Sequence, residues 1–183
     1  KRQEEKNAHA VKILEDLGIE ARSYVCDVSS EENVIATLAS TVNDFGRVDG
    51  LFANAGRAGT GTPFVETSLE DWRKVTEVNL DGVFLCLREA AKQIISQGSG
   101  GSLVAVSSTS AIHGAAGNEA YGTAKTAVTG LVRALAVSLA RFHIRVNCLL
   151  PGWTVTELAS AAFENEYFRE VTTKRTPVRR WAD

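Results

Sequence analysis

The 183 residues include no methionine, only three prolines and only three cysteines. No apolar run approaches the ~20 residues that a membrane-spanning helix needs. Each shortage excludes something. Lys1 is too large for routine removal of a preceding initiator methionine, so the sequence is expected to be a piece of a longer chain. Cys26, Cys86 and Cys148 are odd in number and far apart, which excludes a disulfide framework. They read as buried free thiols in a reducing compartment, so a cytoplasmic location is expected. Charge of one sign is also lacking. Twenty Lys and Arg stand against 22 Asp and Glu, and a net charge of −2 gives no reason to expect nucleic acid or an anionic membrane as partner. The opening "KRQEEKNAHA" has no apolar stretch after its charges and is no secretory signal. His9, His113 and His143 are scattered without metal-ligand spacing, so no metal is expected.

What is present is ordinary for a globular protein, 44% apolar and 23% charged. One domain over residues 1–183 is expected, with no repeat, linker or low-complexity segment. Apolar spacing predicts a helix over 3–17 closed by Gly18. "IEARSYVCDV" then reads as a strand ending near Asp27. Ser29 and Glu32 form a capping box for a helix that closes on Gly46. "VDGLFANAG" is a short strand and small-residue turn, and a long helix follows Ser68 and Asp71, another capping box, to about residue 97. "GSGGSLVAVSS" predicts a buried strand, residues 120–141 a second long helix, and "IRVNCLLPG" a strand stopped by Pro151. These strands are continuous apolar runs and not alternating ones, as in a parallel sheet with helices on both faces. From Trp153 onward the chain reads as a lid or peripheral segment, with Trp153, Phe163 and Tyr167 as a partly aromatic wall.

Ligands of doubly wound sheets bind beyond the carboxyl ends of the strands. Those ends carry Asp27 and Val28, then Asn54, Ala55 and Gly56, then Ser107 and Ser108, then Pro151 and Gly152. Small residues at 53–56 would let a flat ligand approach the backbone. Tyr121 and Lys125 are i and i+4 on one helix face. A free phenol has a pKa of about 10, and a nearby ammonium lowers it, so that tyrosine could exchange a proton with a carbonyl or alcohol oxygen. Ser108 could hold the same oxygen, with Ser107 structural. Such chemistry needs a hydride carrier, and a nicotinamide cofactor is the natural one. A Ser–His hydrolase using Ser108 and His113 is disfavoured, because no G-x-S-x-G elbow is present. His113, Asn118 and Glu119 are expected near the substrate.

Taken in order, "DV" at 27–28, "NAG" at 54–56, "VNL" at 78–80, Ser108, "YGTAK" at 121–125 and "PG" at 151–152 resemble the short-chain dehydrogenase/reductase family. Ser108 stands thirteen residues before Tyr121, as in that family. The resemblance implies a Rossmann-like α/β fold, a doubly wound parallel sheet in three α/β/α layers. It implies Tyr121 as general acid/base, Lys125 as its activator and ribose ligand, Ser108 as the residue orienting the substrate oxygen, and Asn79 as an interruption of its helix that holds a water. Asp27 and Val28 would contact adenine, and Asn54, Ala55 and Gly56 would pack beside NAD(P). Pro151, Gly152, Thr154 and Thr156 would line the nicotinamide side. The family's glycine-rich turn, its first strands and its closing strand are not in this sequence, and Ala53 stands where the family often has Asn. The expected substrate is a small alcohol or ketone. Lys1 and Arg2 lean the cofactor slightly to NADP, and the helices 69–97 and 120–141 resemble those of family tetramers, so a homo-tetramer or dimer is expected. The opposing expectation is a nucleotide-binding scaffold that has lost its chemistry.

Overall fold

The computed structural model describes residues 2–183, with side chains from residue 5. Lys1 and the side chain of Arg2, on which the lean to NADP rests, lie outside the described residues. Helix α1 (Arg2–Asp16) ends at Gly18, whose φ of 76° lies in the left-handed region that glycine adopts without cost.

The strand expected over 19–28 does not form. Burial alternates there as in a strand, with Tyr24, Cys26 and Val28 turned in and Val25 and Asp27 out, but the backbone joins no ladder. Strand hydrogen bonds need a neighbour, and among the described residues no strand pairs with this segment. Helix α2 (Glu31–Phe45) is capped by Ser30 and not by Ser29. The Asn33 amide donates to the Ser30 hydroxyl at 3.3 Å. Ser29 is diverted to Asp27, donating its amide at 3.0 Å and its hydroxyl at 2.6 Å to one carboxylate oxygen. Gly46 closes the helix with φ 75°, as expected.

Strands β1 (Gly50–Ala53), β2 (Gly101–Val106) and β3 (Ile144–Leu149) form a parallel sheet in that order. Leu51 pairs with Leu103 and Leu103 with Val146, so one row of side chains faces one layer of helices. The segment between β1 and β2 was expected as one helix. It is two, α3 (Leu69–Thr76) and α4 (Gly82–Gln97), joined by a wider π-turn over Glu77–Asp81. Ser68 caps α3 as read, its hydroxyl accepting from the Asp71 amide at 3.0 Å and donating to the Asp71 carboxylate at 2.8 Å. A single turn, α5 (Ser110–His113), precedes the long helix α6 (Glu119–Leu139).

Val83, Leu87 and Ile94 of α4, and Val128 and Val132 of α6, pack on Leu103, Ala105, Ile144 and Val146 of the sheet. Leu87, Ile94 and Leu103 are almost wholly buried, and each stabilises the fold by about 2 kcal/mol. Consecutive right-handed crossovers place α4 and α6 on the same face. The opposite face presents Phe52 at 57% exposure and Leu149 at 48%, so helices do not cover both faces of the described sheet. After β3, α7 (Ser160–Glu164) and α8 (Glu166–Arg175) gather an aromatic cluster. Trp153 stacks on Trp181 at 4.8 Å and meets Phe168 edge-on at 5.0 Å, and Phe163 meets Trp181 at 5.2 Å. Tyr167 points outward. The cysteines are free but half-buried, not enclosed as expected. No described helix is long and apolar enough to cross a membrane.

Candidate active site

The π-turn has a local cause and a local use. Asn79 lies within it and is fully buried. Its side-chain amide donates to the Val75 carbonyl at 3.0 Å and to the Arg57 carbonyl at 2.7 Å. Its oxygen accepts from the Arg57 amide at 3.1 Å. Asn79 therefore replaces a regular helix bond and clamps both main-chain groups of the turn after β1.

Lys125 projects from α6 onto the end of β2. Its ammonium donates to the Val106 carbonyl at 2.8 Å and stands 5.5 Å from the centre of the Tyr121 ring. Burial holds its pKa below the ordinary lysine value, with the Cys148 thiol as a weaker opposing influence. Gly56 fits into the same space. A Cβ there would lie 3.1 Å from the Asn79 oxygen and 3.7 Å from the Lys125 nitrogen. Gly56, Asn79, Lys125 and Tyr121 are thus brought together at the carboxyl ends of the strands.

Ser107 and Ser108 part ways here. Ser107 is buried and donates to the Lys125 carbonyl at 2.6 Å. Ser108 is half-buried and accepts from the Ser110 amide at 3.1 Å. The Ser107 amide reaches the Leu149 carbonyl at 2.8 Å and the Thr109 amide the Pro151 carbonyl at 3.0 Å, which fixes Pro151 beside the Ser108 turn.

Val28, Asn54 and Ala55 share a cleft of about 340 Å³, open to solvent, with Ala53, Val78, Gly82 and Cys86. Gly82 sits tight against Val28, since a Cβ on it would lie 2.8 Å from the Val28 Cγ2. Burial pushes the Cys86 thiol up to about 11. Asp27 is exposed at the rim, and its two hydrogen bonds from Ser29 hold its carboxyl below the usual range. Gly152 and Thr154 lie further along, the Thr154 hydroxyl donating to the Gly152 carbonyl at 3.5 Å. Thr154 belongs to a short ribbon with Ala182, and Thr156 precedes the turn at Glu157–Ala159. Neither threonine is drawn to Tyr121 or Lys125 by a hydrogen bond among the described residues.

The sequence reading missed the roles of Gly82, Arg57 and Trp181. A glycine facing a β-branched residue across two elements leaves no local signal, whereas Trp181, a large apolar residue in a polar tail, was a visible one. His113 is exposed at the end of α5, while Asn118 and Glu119 accept main-chain amides, from Gly59 and Gly117 respectively, both at 2.9 Å. Among the described residues no cluster of His, Cys, Asp and Glu could hold a metal ion.

Comparison with known proteins identifies the family of the chain. The family model described as Enoyl-(Acyl carrier protein) reductase matches residues 1–183. The chain is 37% identical over 149 residues to a 2,5-dichloro-2,5-cyclohexadiene-1,4-diol dehydrogenase of Sphingobium indicum, covering 81% of this chain and 60% of that protein. It is 38% identical over 148 residues to a secoisolariciresinol dehydrogenase of Forsythia intermedia, covering 80% and 53% respectively. Among solved structures, a gluconate 5-dehydrogenase from Burkholderia cenocepacia in complex with NADP and tartrate superposes with a TM-score of 0.91 at 31% identity, covering all of this chain and 71% of that one. An NAD+-bound xylitol dehydrogenase gives 0.89 at 34% identity, covering 98% and 74%. The chain spans 53% to 60% of the length of these two curated relatives. With a family match along its whole length and the parallel sheet seen here, the chain belongs to the short-chain dehydrogenase/reductase family.

Proposed function

We propose that the protein is an NAD(P)-dependent oxidoreductase that interconverts a secondary alcohol and a ketone, with Tyr121 as the general acid/base. One observation carries this reading. A buried ammonium, Lys125, stands beside the Tyr121 ring and next to Gly56 and Asn79, where the strands end. A buried titratable group held against another at the strand ends is a functional-site candidate.

The residues present fit a nicotinamide dinucleotide. The open cleft at Val28, Asn54 and Ala55 has the small, apolar floor that a flat adenine-bearing ligand needs, and Gly56 leaves the backbone bare towards Lys125. Asp27 at the rim, and Pro151, Gly152, Thr154 and Thr156 on the other side, complete the proposed contacts. The bound group would supply the hydride donor or acceptor. Tyr121 would exchange the proton with the substrate oxygen, and Ser108 would hold that oxygen. Lys125 would favour the phenolate by its charge, and Asn79 keeps the Gly56–Arg57 turn in place. NADP is favoured slightly over NAD by the cations at Lys1 and Arg2. A homo-tetramer or dimer through the 69–97 and 120–141 segments belongs to the same reading. Outward-facing Phe84 and Val137 on those helices support it. A cytoplasmic location is a further part of this proposal, resting on three free thiols.

The test is Tyr121→Phe in the full-length protein, assayed with a panel of alcohols and ketones against NADH and NADPH. The expected result is a loss of kcat of about a hundred- to ten-thousand-fold, with coenzyme affinity retained. Full turnover in that variant sinks the assignment.

A further inference from the structure

Asn118 stands at the N-cap of α6, one turn before Tyr121. An Asn there ordinarily accepts an amide from the helix's own first turn. This one makes no such bond. Its side-chain oxygen instead accepts the Gly59 amide at 2.9 Å, across 59 residues of chain. The fit is close, because a Cβ on Gly59 would lie 2.2 Å from that oxygen. The main chain of Asn118 is already anchored to α6, its carbonyl accepting from the Gly122 amide at 3.0 Å.

Two residues before Gly59, Arg57 is held at both main-chain groups by Asn79. The segment 57–59 is therefore pinned at one end by the helix carrying Asn79 and at the other by the helix carrying Tyr121 and Lys125. Side-chain packing at the start of α6 is shared between buried groups and a cleft open to solvent, with Val75 and Ala120 buried and Thr67, Asp71 and Trp72 facing Asn118 across the opening. Beside such an opening, a directional bond adds to the register that packing sets.

We propose that Asn118 is a positioning residue for the reaction, holding the Tyr121 turn in register with Asn79 through Gly59. The inference rests on the proposed oxidoreductase function. Its test uses two readouts, one of which needs no turnover. Asn118→Ala in the full-length protein should speed hydrogen exchange at the Gly59 amide by ~10-fold or more. It should lower kcat by about tenfold, since small misplacements near a reacting centre are costly, and leave the KM for coenzyme within about twofold. Asn118→Asp keeps the accepting oxygen and should restore both exchange protection and most of the turnover. An unchanged Gly59 exchange rate or wild-type kcat in Asn118→Ala overturns the inference, as does an Asn118→Asp enzyme as impaired as Asn118→Ala. Loss of turnover in Tyr121→Phe with none in Asn118→Ala overturns this inference alone. Full turnover in Tyr121→Phe overturns the proposed function itself.

Discussion

Ser107 donates its hydroxyl to the Lys125 carbonyl at 2.6 Å, and the Lys125 ammonium returns a bond at 2.8 Å to Val106, the residue before Ser107. Strand β2 and helix α6 are thus fastened in both directions, each by a side chain on the other's backbone. The neighbouring serine, Ser108, takes no part in that fastening and is half-exposed, accepting the Ser110 amide.

Adjacent serines should therefore fail differently. Ser107→Ala removes a buried hydrogen bond and should cost about 1 kcal/mol of stability, with kcat changed little. Ser108→Ala should unfold within about 0.5 kcal/mol of wild type but lose roughly a hundredfold in kcat, the scale for one lost oxyanion donor. Urea unfolding and steady-state assays on the pair decide it. A stability loss at Ser108 with an activity loss at Ser107 would exchange their roles.

Lys125 links pH to stability with a sign opposite to a salt-bridged lysine. Burial lowers its native pKa below the unfolded 10.5, so between those values the unfolded chain binds more protons. Stability from this group then rises with pH through that window, and its charged form is least favourable below the native pKa. Lys125→Met removes the titration. Relative to that variant, wild type should gain stability as pH rises towards 10.5. Urea midpoints at pH values up to 10 measure the difference, and a difference flat with pH would show that the ammonium is not desolvated. The variant should also lose turnover by about a hundredfold or more.

Gly82 sets two effects against each other. Alanine in the first turn of α4 would improve helix propensity by up to about 1 kcal/mol. Its Cβ would also meet Val28 Cγ2 at 2.8 Å and the Val28 carbonyl at 3.1 Å. Val28 is β-branched and stiff, so relief requires backbone movement, and overpacking of this kind costs about 1–3 kcal/mol. The clash should win. Gly82→Ala is expected to lower stability by about 1 kcal/mol and to weaken coenzyme binding by displacing Val28 from the cleft wall. Fluorescence titration with NADH or NADPH reads the second effect, and tighter binding would contradict it.

The features that the sequence made legible are those built from near neighbours or strong patterns. Leu103 to Val106 is an apolar run that announced a buried strand, Ile144 to Cys148 is a strand that alternates with Arg145 and Asn147, and Tyr121 and Lys125 share a helix face by their spacing of four. The stretch 19–28 had the residue types of a strand, but pairing depends on what lies beside it, which local composition does not encode. The shift of the α2 cap from Ser29 to Ser30 turned on which hydroxyl Asp27 captured. The π-turn at 77–81 left no mark in the apolar pattern, because one extra residue in a turn preserves that pattern almost intact; the interruption at Asn79 came from the family resemblance alone. Asn118 and Gly59 look like ordinary loop residues until two distant loops are placed together.

The aromatic cluster after β3 gives the molecule an optical asymmetry. Of three tryptophans, Trp153 and Trp181 face each other at 4.8 Å, and the Trp181 indole N–H is bound to the Thr172 hydroxyl at 2.9 Å. Trp72 alone lines the cleft under the start of α6. Emission from the stacked pair follows the segment that borders the strand ends, and emission from Trp72 follows the helix start that carries Tyr121. With one tryptophan replaced at a time, the two sides of the candidate site can be watched separately, without an attached dye.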